Sequence, residues 1–266
     1  MTEIRVPFDD GDAYERYMGR WSRAIGERFL EWLDPPANLR WLDVGCGTGA
    51  FTKLVLDRTA PETIIGIDPS PAQVEHARRT VRAPQVEFRQ GSASHLPFET
   101  GAFDAVVSAL VIHFFDDRPQ AFREMLRVTT PGGIVAGYTW RKSATIIDAP
   151  YGPLARAVIE VAGDVMISPA VPEAMPEGLR AALVAEGYAD IDITTVDATQ
   201  TFRDFEDYWT SQTGTFTHPV ANSVAALSDD DRKRLRDILR TALPPADDGT
   251  ITYSSWATAF KARKPR

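Results

Sequence analysis

Cysteine is almost absent. Cys46 is the only one, so no internal disulfide can form and a reducing, cytoplasmic setting is expected. Long apolar runs are missing as well. No stretch reaches bilayer-spanning length, and the opening MTEIRVPFDDGD lacks the apolar segment of an export signal, so a soluble protein with no membrane span is expected. Positive charge is in deficit, with 29 Lys and Arg against 37 Asp and Glu and a net charge of −8. A chain that neutralises phosphates needs the opposite balance, and the one basic run, Lys261, Arg263, Lys264 and Arg266, is a short tail. Nucleic acid is therefore not an expected partner. Internal repeats and low-complexity stretches are also lacking. The length of 266 residues suits one large domain, or a domain with an insert, around a sizeable core.

What the chain does have is glycine at one telling place. Trp41-Leu42-Asp43-Val44 reads as a buried strand, and Gly45, Gly47 and Gly49 break it. Thr48 is placed to cap a following helix in which Phe51, Leu54 and Val55 recur at helical spacing. Glycine lets the backbone turn tightly and approach a ligand, and the helix start presents unpaired N–H groups there. A second strand, Thr63 to Ile67, ends in Asp68, roughly 20 residues past the turn, where a carboxylate can accept from both ribose hydroxyls of a nucleoside. Gly45-x-Gly47-x-x-Ala50 also fits the loose dinucleotide fingerprint. Asp43 tips the balance toward the nucleoside with an ammonium end. Two residues before the turn, a carboxylate suits a ligand end carrying an ammonium group and sits badly beside a pyrophosphate.

Four segments in order, LDVGCGTG, GIDPSPAQVEHAR, GSASHLPFETGAFDAVVSALVIHFF and EMLRVTTPGGIVAGYTW, resemble the linked motifs of class I S-adenosylmethionine-dependent methyltransferases. The likeness runs from Trp41 to Trp140 and is greatest to the small-molecule branch that includes the ubiquinone and menaquinone biosynthesis methyltransferases. It implies an α/β fold: a Rossmann-like mixed seven-stranded sheet, parallel with an antiparallel edge strand, flanked by helices and carrying a helical lid. It implies S-adenosyl-L-methionine as cofactor and a small, apolar or aromatic methyl acceptor as partner. The implied cofactor contacts are Asp43, Gly45, Cys46, Gly47 and Gly49 at the first turn, and Asp68, Pro69 and Ser70 after the second strand. Gly91, Ser92 and Ala93 follow the third strand, and Ala109 and Leu110 end the fourth. Relatives carry an acid where Ser92 stands, so the adenine contact here is expected to be weaker or water-mediated. A leading amphipathic helix, with Trp21, Ile25, Phe29 and Leu33 on one stripe, lies over the cofactor mouth in such proteins. Tyr17 or Arg20 is expected to reach the methionine carboxylate, and Tyr14 to meet the substrate.

The whole chain, residues 1–266, is expected to be a single domain. Its parts are an N-terminal helical cap (1–40), a cofactor-binding core (41–142), a lid insert with its helix (143–190), and C-terminal strands and helices (191–266). Strand–helix alternation makes the core sheet parallel. Prolines among apolar residues such as Ile146, Met166 and Ile167 mark the insert, and a helix is expected from Glu177 to Glu186. Phe202 to Leu243 reads as two helices, the later capped by Ser228. Thr250 to Lys261 reads as an alternating antiparallel strand at the sheet edge.

Methyl transfer from a sulfonium needs alignment more than acid–base chemistry, and positioning alone supplies roughly 7–11 kcal/mol. No fixed catalytic triad is required. His113, just beyond the fourth strand, is the candidate base or substrate contact, and His218 is placed to face the acceptor. His76 reads as a solvated helix residue, and His95 as a loop residue satisfying backbone groups. Tyr138 and Trp140 end the fifth strand, where an aromatic face suits a flat acceptor or a sulfonium, although one of them is expected to pack inward. Cys46 reads as the small side chain that a tight turn tolerates, not as a nucleophile. No metal is expected, because Ser108, Ala109 and Leu110 stand where metal-dependent relatives carry carboxylates. Two other readings stay open: a binding protein for the same cofactor without catalysis, and an NAD-dependent oxidoreductase.

Overall fold

A computed structural model describes residues 19–143, 147–165, 170–214 and 219–266, apart from the side chains of Arg20 and Pro219. The expectations for Tyr14, Tyr17 and His218, for the Arg20 side chain, and for Ile146, Met166 and Ile167 in the insert lie outside the described residues.

The chain alternates as the core pattern requires. Helix α1 (Arg20–Leu33) is followed by β1 (Arg40–Val44), α2 (Ala50–Thr59), β2 (Thr63–Asp68), α3 (Pro71–Thr80), β3 (Val86–Gln90) and β4 (Phe103–Ala109). Next come α4 (Arg118–Val128), β5 (Thr129–Trp140), α5 (Gly152–Ala162), α6 (Pro176–Ala185) and β6 (Ala189–Phe202). The last elements are α7 (Phe205–Thr213), α8 (Pro219–Ala225), α9 (Asp229–Ala242) and β7 (Ile251–Arg263). Phe202 to Leu243 thus holds three helices among the described residues, where two were expected. Short polar side chains start several of them: Ser70 accepts from Gln73 N–H, Asp117 from Gln120 N–H and Ser228 from Asp231 N–H. For α2 the capping position is Gly49, with no side-chain cap.

All seven strands form one sheet in the order β3-β2-β1-β4-β5-β7-β6. β1 to β5 run parallel, and β7 is antiparallel to both of its neighbours. The antiparallel strand therefore sits one place in from the edge, which belongs to β6. The reason is written in β7 itself: Ala257 to Phe260 are buried consecutively, as a strand covered on both faces must be, whereas β6 is mostly half-buried or exposed. Trp21, Ile25 and Phe29 of α1 join Trp41 and Tyr138 in a core on one face, and Leu42, Val106 and Phe122 anchor the core on the other. Among the described residues no helix is long and apolar enough to cross a membrane.

Candidate active site

At the carboxyl end of β1 the chain turns back through Gly45, Gly47 and Gly49 at φ 78°, 52° and 82°, all left-handed. A Cβ on Gly45 would stand 2.5 Å from Val111 Cγ2, and one on Gly49 would stand 3.0 Å from Phe88 Cζ. One on Gly47 would meet nothing within 4 Å. The turn is packed against the protein at its ends and open in the middle. Gly45 and Cys46 donate their N–H groups to Ile67 O at 2.7 and 3.1 Å, tying the turn to the tip of β2. Leu110, just past β4, is left-handed too at φ 62°, a strained state for leucine, and its N–H donates to Tyr138 O at 2.8 Å.

These ends enclose a cleft of about 750 Å³, the size of a small-molecule site. Asp43, Gly45, Cys46, Gly47, Gly49, Asp68, Pro69, Ser70, Gly91, Ser92, Ala93, Ala109 and Leu110 all line it, so residues far apart in sequence share one surface.

Asp43 is 1% exposed. Thr52 Oγ1 donates to its Oδ2 at 2.6 Å, but Oδ1 has no hydrogen-bond partner among the described residues. Burial pushes this carboxyl up to about 7; the Thr52 hydroxyl opposes the shift and the nearby Asp68 adds to it. Asp68 is better held. Its Oδ2 accepts Gly47 N–H at 3.0 Å and its Oδ1 accepts Ser70 N–H at 2.9 Å, which leaves each oxygen a further lone pair for a hydroxyl. Burial raises the Asp68 carboxyl as well, against those two N–H groups. Ser92 is exposed, and its Oγ accepts Ser94 N–H at 3.3 Å. Cys46 is buried with its thiol pushed well up by desolvation, the inert state of a small turn residue.

The cleft also contains residues that the sequence pattern did not single out. Gly19, Ser22, Arg23 and Glu27 present one face of α1 to it, and Gln73, Val111 and Phe114 complete other parts, as does His76, which the sequence read as a solvated helix residue. Ser22 Oγ is buried without a partner, and Arg23 pairs with no carboxylate among the described residues. The signal for this face was the recurrence of 19, 22, 23 and 27 at helical spacing, flanking the apolar stripe.

Two expected residues fall elsewhere. His113 is not among the residues that line the cleft. Its Nδ1 lies 3.0 Å from Thr139 Oγ1, and its ring centroid stands 4.0 Å from that of Phe114. Desolvation, then Lys142 and Arg118, push its pKa down to about 3. An imidazole so reluctant to take a proton is a poor general base. Trp140 packs in the core with Tyr138. The two are separated by one residue, so they share a face of β5, and the expectation that they point oppositely fails on strand parity. Tyr138 alone of the pair lines the cleft, with its ring 4.7 Å from Phe29.

Most of the parallel sheet, the glycine turn and the two carboxylates at adjacent strand tips lie within residues 42–137, which match the family described as methyltransferase domain. Curated relatives resemble this chain over part of its length. The chain is 36% identical over 143 residues to a 2-phytyl-1,4-naphthoquinone methyltransferase of Thermosynechococcus vestitus, covering 51% of this chain and 64% of that protein. It is 31% identical over 144 residues to a malonyl-[acyl-carrier protein] O-methyltransferase of Pectobacterium atrosepticum, covering 54% and 53%. These matches thus span less than two thirds of the relatives' own length. The fold alone is shared with the cyclase SpnF, at a TM-score of 0.57 and 23% identity over 92% of this chain and 80% of that one.

Proposed function

We propose that this protein transfers a methyl group from S-adenosyl-L-methionine to a small acceptor by in-line displacement. Asp43 Oδ1 carries the reading. A buried carboxylate oxygen with no partner among the described residues, beside a glycine turn, is costly and is satisfied by a ligand ammonium. A pyrophosphate in the same place would be repelled, which disfavours a dinucleotide. Around it, Asp68 is placed for a ribose, Ser22 and Arg23 offer a hydroxyl and a cation for a carboxylate, and Gly47 leaves room for the ligand to lie against the backbone. S-adenosyl-L-methionine supplies a methyl already activated by its sulfonium, so the chain's task is to bind, orient and exclude water. Tyr138, 1% exposed, offers an aromatic face toward a cation in the cleft.

The acceptor is a small apolar or aromatic molecule. This choice is supported by the quinone branch of the relatives and by the aromatic and aliphatic lining at Val111, Phe114 and Phe115. Residues 1–266 act as one unit, with 143–190 as the lid. A reducing, cytoplasmic setting suits the single free Cys46.

Calorimetry with S-adenosyl-L-methionine is expected to give one site per chain. Labelled donor with a panel of phenols, quinols and amines is expected to give a methylated product. Absence of binding would remove the cofactor assignment, and binding without transfer to any acceptor would reduce the protein to a cofactor-binding module.

A further inference from the structure

The loop after β3 carries Gly91, Ser92, Ala93 and Ser94 into the cleft. At its start Gly91 N–H donates to Asp68 O at 3.0 Å. Its other end is held by two side chains of α4. Glu124 Oε2 accepts Leu96 N–H at 2.8 Å. Arg127 donates through one arm to Phe98 O at 2.8 Å and through the other to Leu96 O at 2.9 Å. Glu124 and Arg127 also fork onto each other, with Nε to Oε1 at 2.7 Å and Nη2 to Oε2 at 2.8 Å. Glu124 is 8% exposed, and the Arg127 guanidinium holds its carboxyl below the usual range. A fork that reaches three backbone groups of one loop is a clamp with defined geometry, beyond a generic surface ion pair.

The same helix governs a second cleft-lining segment. Phe114, Phe115 and Asp116 line the cleft, and Asp117, the next residue, caps α4 by accepting Gln120 N–H at 2.9 Å. One helix therefore follows directly on Phe114–Asp116 and, from its C-terminal half, holds Leu96 and Phe98 of the loop that carries Ser92–Ser94.

We propose that Glu124 and Arg127 are positioning residues for the nucleoside end of the cleft, setting the placement of Ser92–Ser94 relative to Phe114–Asp116. The proposal rests on the adenosyl reading of the site. Neither residue lines the cleft, so both act through the loop that they hold. Because Ser92 offers a neutral oxygen, binding at this end depends on placement more than on charge.

The test measures dissociation constants of S-adenosylhomocysteine and adenosine, with thermal unfolding in parallel, for the wild type, Glu124→Gln, Arg127→Lys and Asp104→Asn. Glu124→Gln sets an amide donor against the Arg127 donors, and Arg127→Lys keeps the charge but cannot serve Leu96 O, Phe98 O and Glu124 together. Each is expected to weaken both ligands about tenfold, the scale of one charge-assisted hydrogen bond. If one variant does not fold, the other carries the test. Asp104→Asn breaks a comparable fork at the far end of the sheet and is expected to lower the unfolding temperature without moving either constant. Clamp variants that bind like the wild type overturn the proposal and leave the methyltransferase reading standing. Equal losses in Asp104→Asn overturn it as well, by reducing the effect to general destabilisation. A wild type that binds neither ligand removes the adenosyl reading itself.

Discussion

Strand β1 has an aspartate beside each of its ends, and the two are in opposite states. At the amino end, Asp104 of β4 receives the Arg40 side chain at 2.8 and 2.9 Å and the Arg40 N–H at 3.1 Å, so its pKa is lowered, first by that hydrogen-bonded guanidinium. At the carboxyl end, Asp43 lines the cleft but is 1% exposed, with one oxygen bonded and the other without a partner among the described residues, and its pKa rises to about 7 through desolvation. Asp104 is partnered within the chain and partly wet; Asp43 Oδ1 has no partner among the described residues. The proposed ligand site lies at the acid that the described residues leave unsatisfied, not at the one they satisfy.

The largest expected effect comes from removing the idle charge. Asp43→Asn should weaken S-adenosyl-L-methionine binding by about 3 kcal/mol, the loss expected when a buried charge pair is broken. The same variant should stabilise the empty protein, with a sign that depends on pH. The Asp43 carboxyl moves from 3.8 to about 7 on folding, so between those values the folded chain holds a proton that the unfolded chain has released. Stability therefore falls as pH rises through that window, and above it the full penalty is present. Asparagine lifts it, giving an unfolding temperature at least about 3 °C higher at pH 8 and no gain near pH 4. An unchanged melting curve at pH 8 would mean that Asp43 is not strained by burial. Asp104→Asn is the mirror case. Its stabilisation is present above the unfolded carboxylate range and is lost as pH falls, so the variant should lose about 1 kcal/mol at pH 7 and nothing at low pH.

A ligand ammonium needs Asp43 ionised. Below about pH 7 binding must expel its proton, so affinity should fall toward tenfold per pH unit and calorimetry in buffers of different ionisation heat should register about one proton released. A dissociation constant flat from pH 5.5 to 8 would separate Asp43 from the ligand. Asp68 is held at both oxygens, and its contribution is smaller. Asp68→Ala should weaken binding by about 1.5–3 kcal/mol, the range for hydrogen bonds to a charged group, and unchanged affinity would remove the ribose assignment.

The Asp43 end of this comparison was legible in the sequence because its causes are local. Three glycines within five residues dictate a turn, and Asp43 and Asp68 are fixed to it by strand position. The remainder depends on packing that spacing does not encode. Ser22 and Arg23 look like any polar residues of an amphipathic helix until α1 is seen to wall the cleft. The inward place of β7 follows from whether both faces are covered, which the run Ala257 to Phe260 signals only when read for burial rather than alternation. Glu124 and Arg127 are one helical turn apart and read as a surface pair, although their partners lie on a loop 28 to 31 residues earlier.

His113 gives the smallest expected effect and the sharpest check on what sequence position can imply. It stands two residues beyond cleft-lining Val111, and position alone makes it the natural base. The short helical turn Ile112–Phe114 rotates the ring toward Thr139, and desolvation beside Lys142 and Arg118 keeps it neutral down to about pH 3. A neutral ring that titrates so low adds no pH dependence near neutrality. His113→Gln, whose amide can still meet Thr139, should therefore change turnover by less than about tenfold, below the lower bound for a general base. The pH–rate profile should keep its shape. A loss of a hundredfold or more, with disappearance of a limb near neutral pH, would show that substrate binding turns this ring into the cleft. The carboxyl end of β1 would then hold its reactive groups in a resting arrangement that the ligand rearranges.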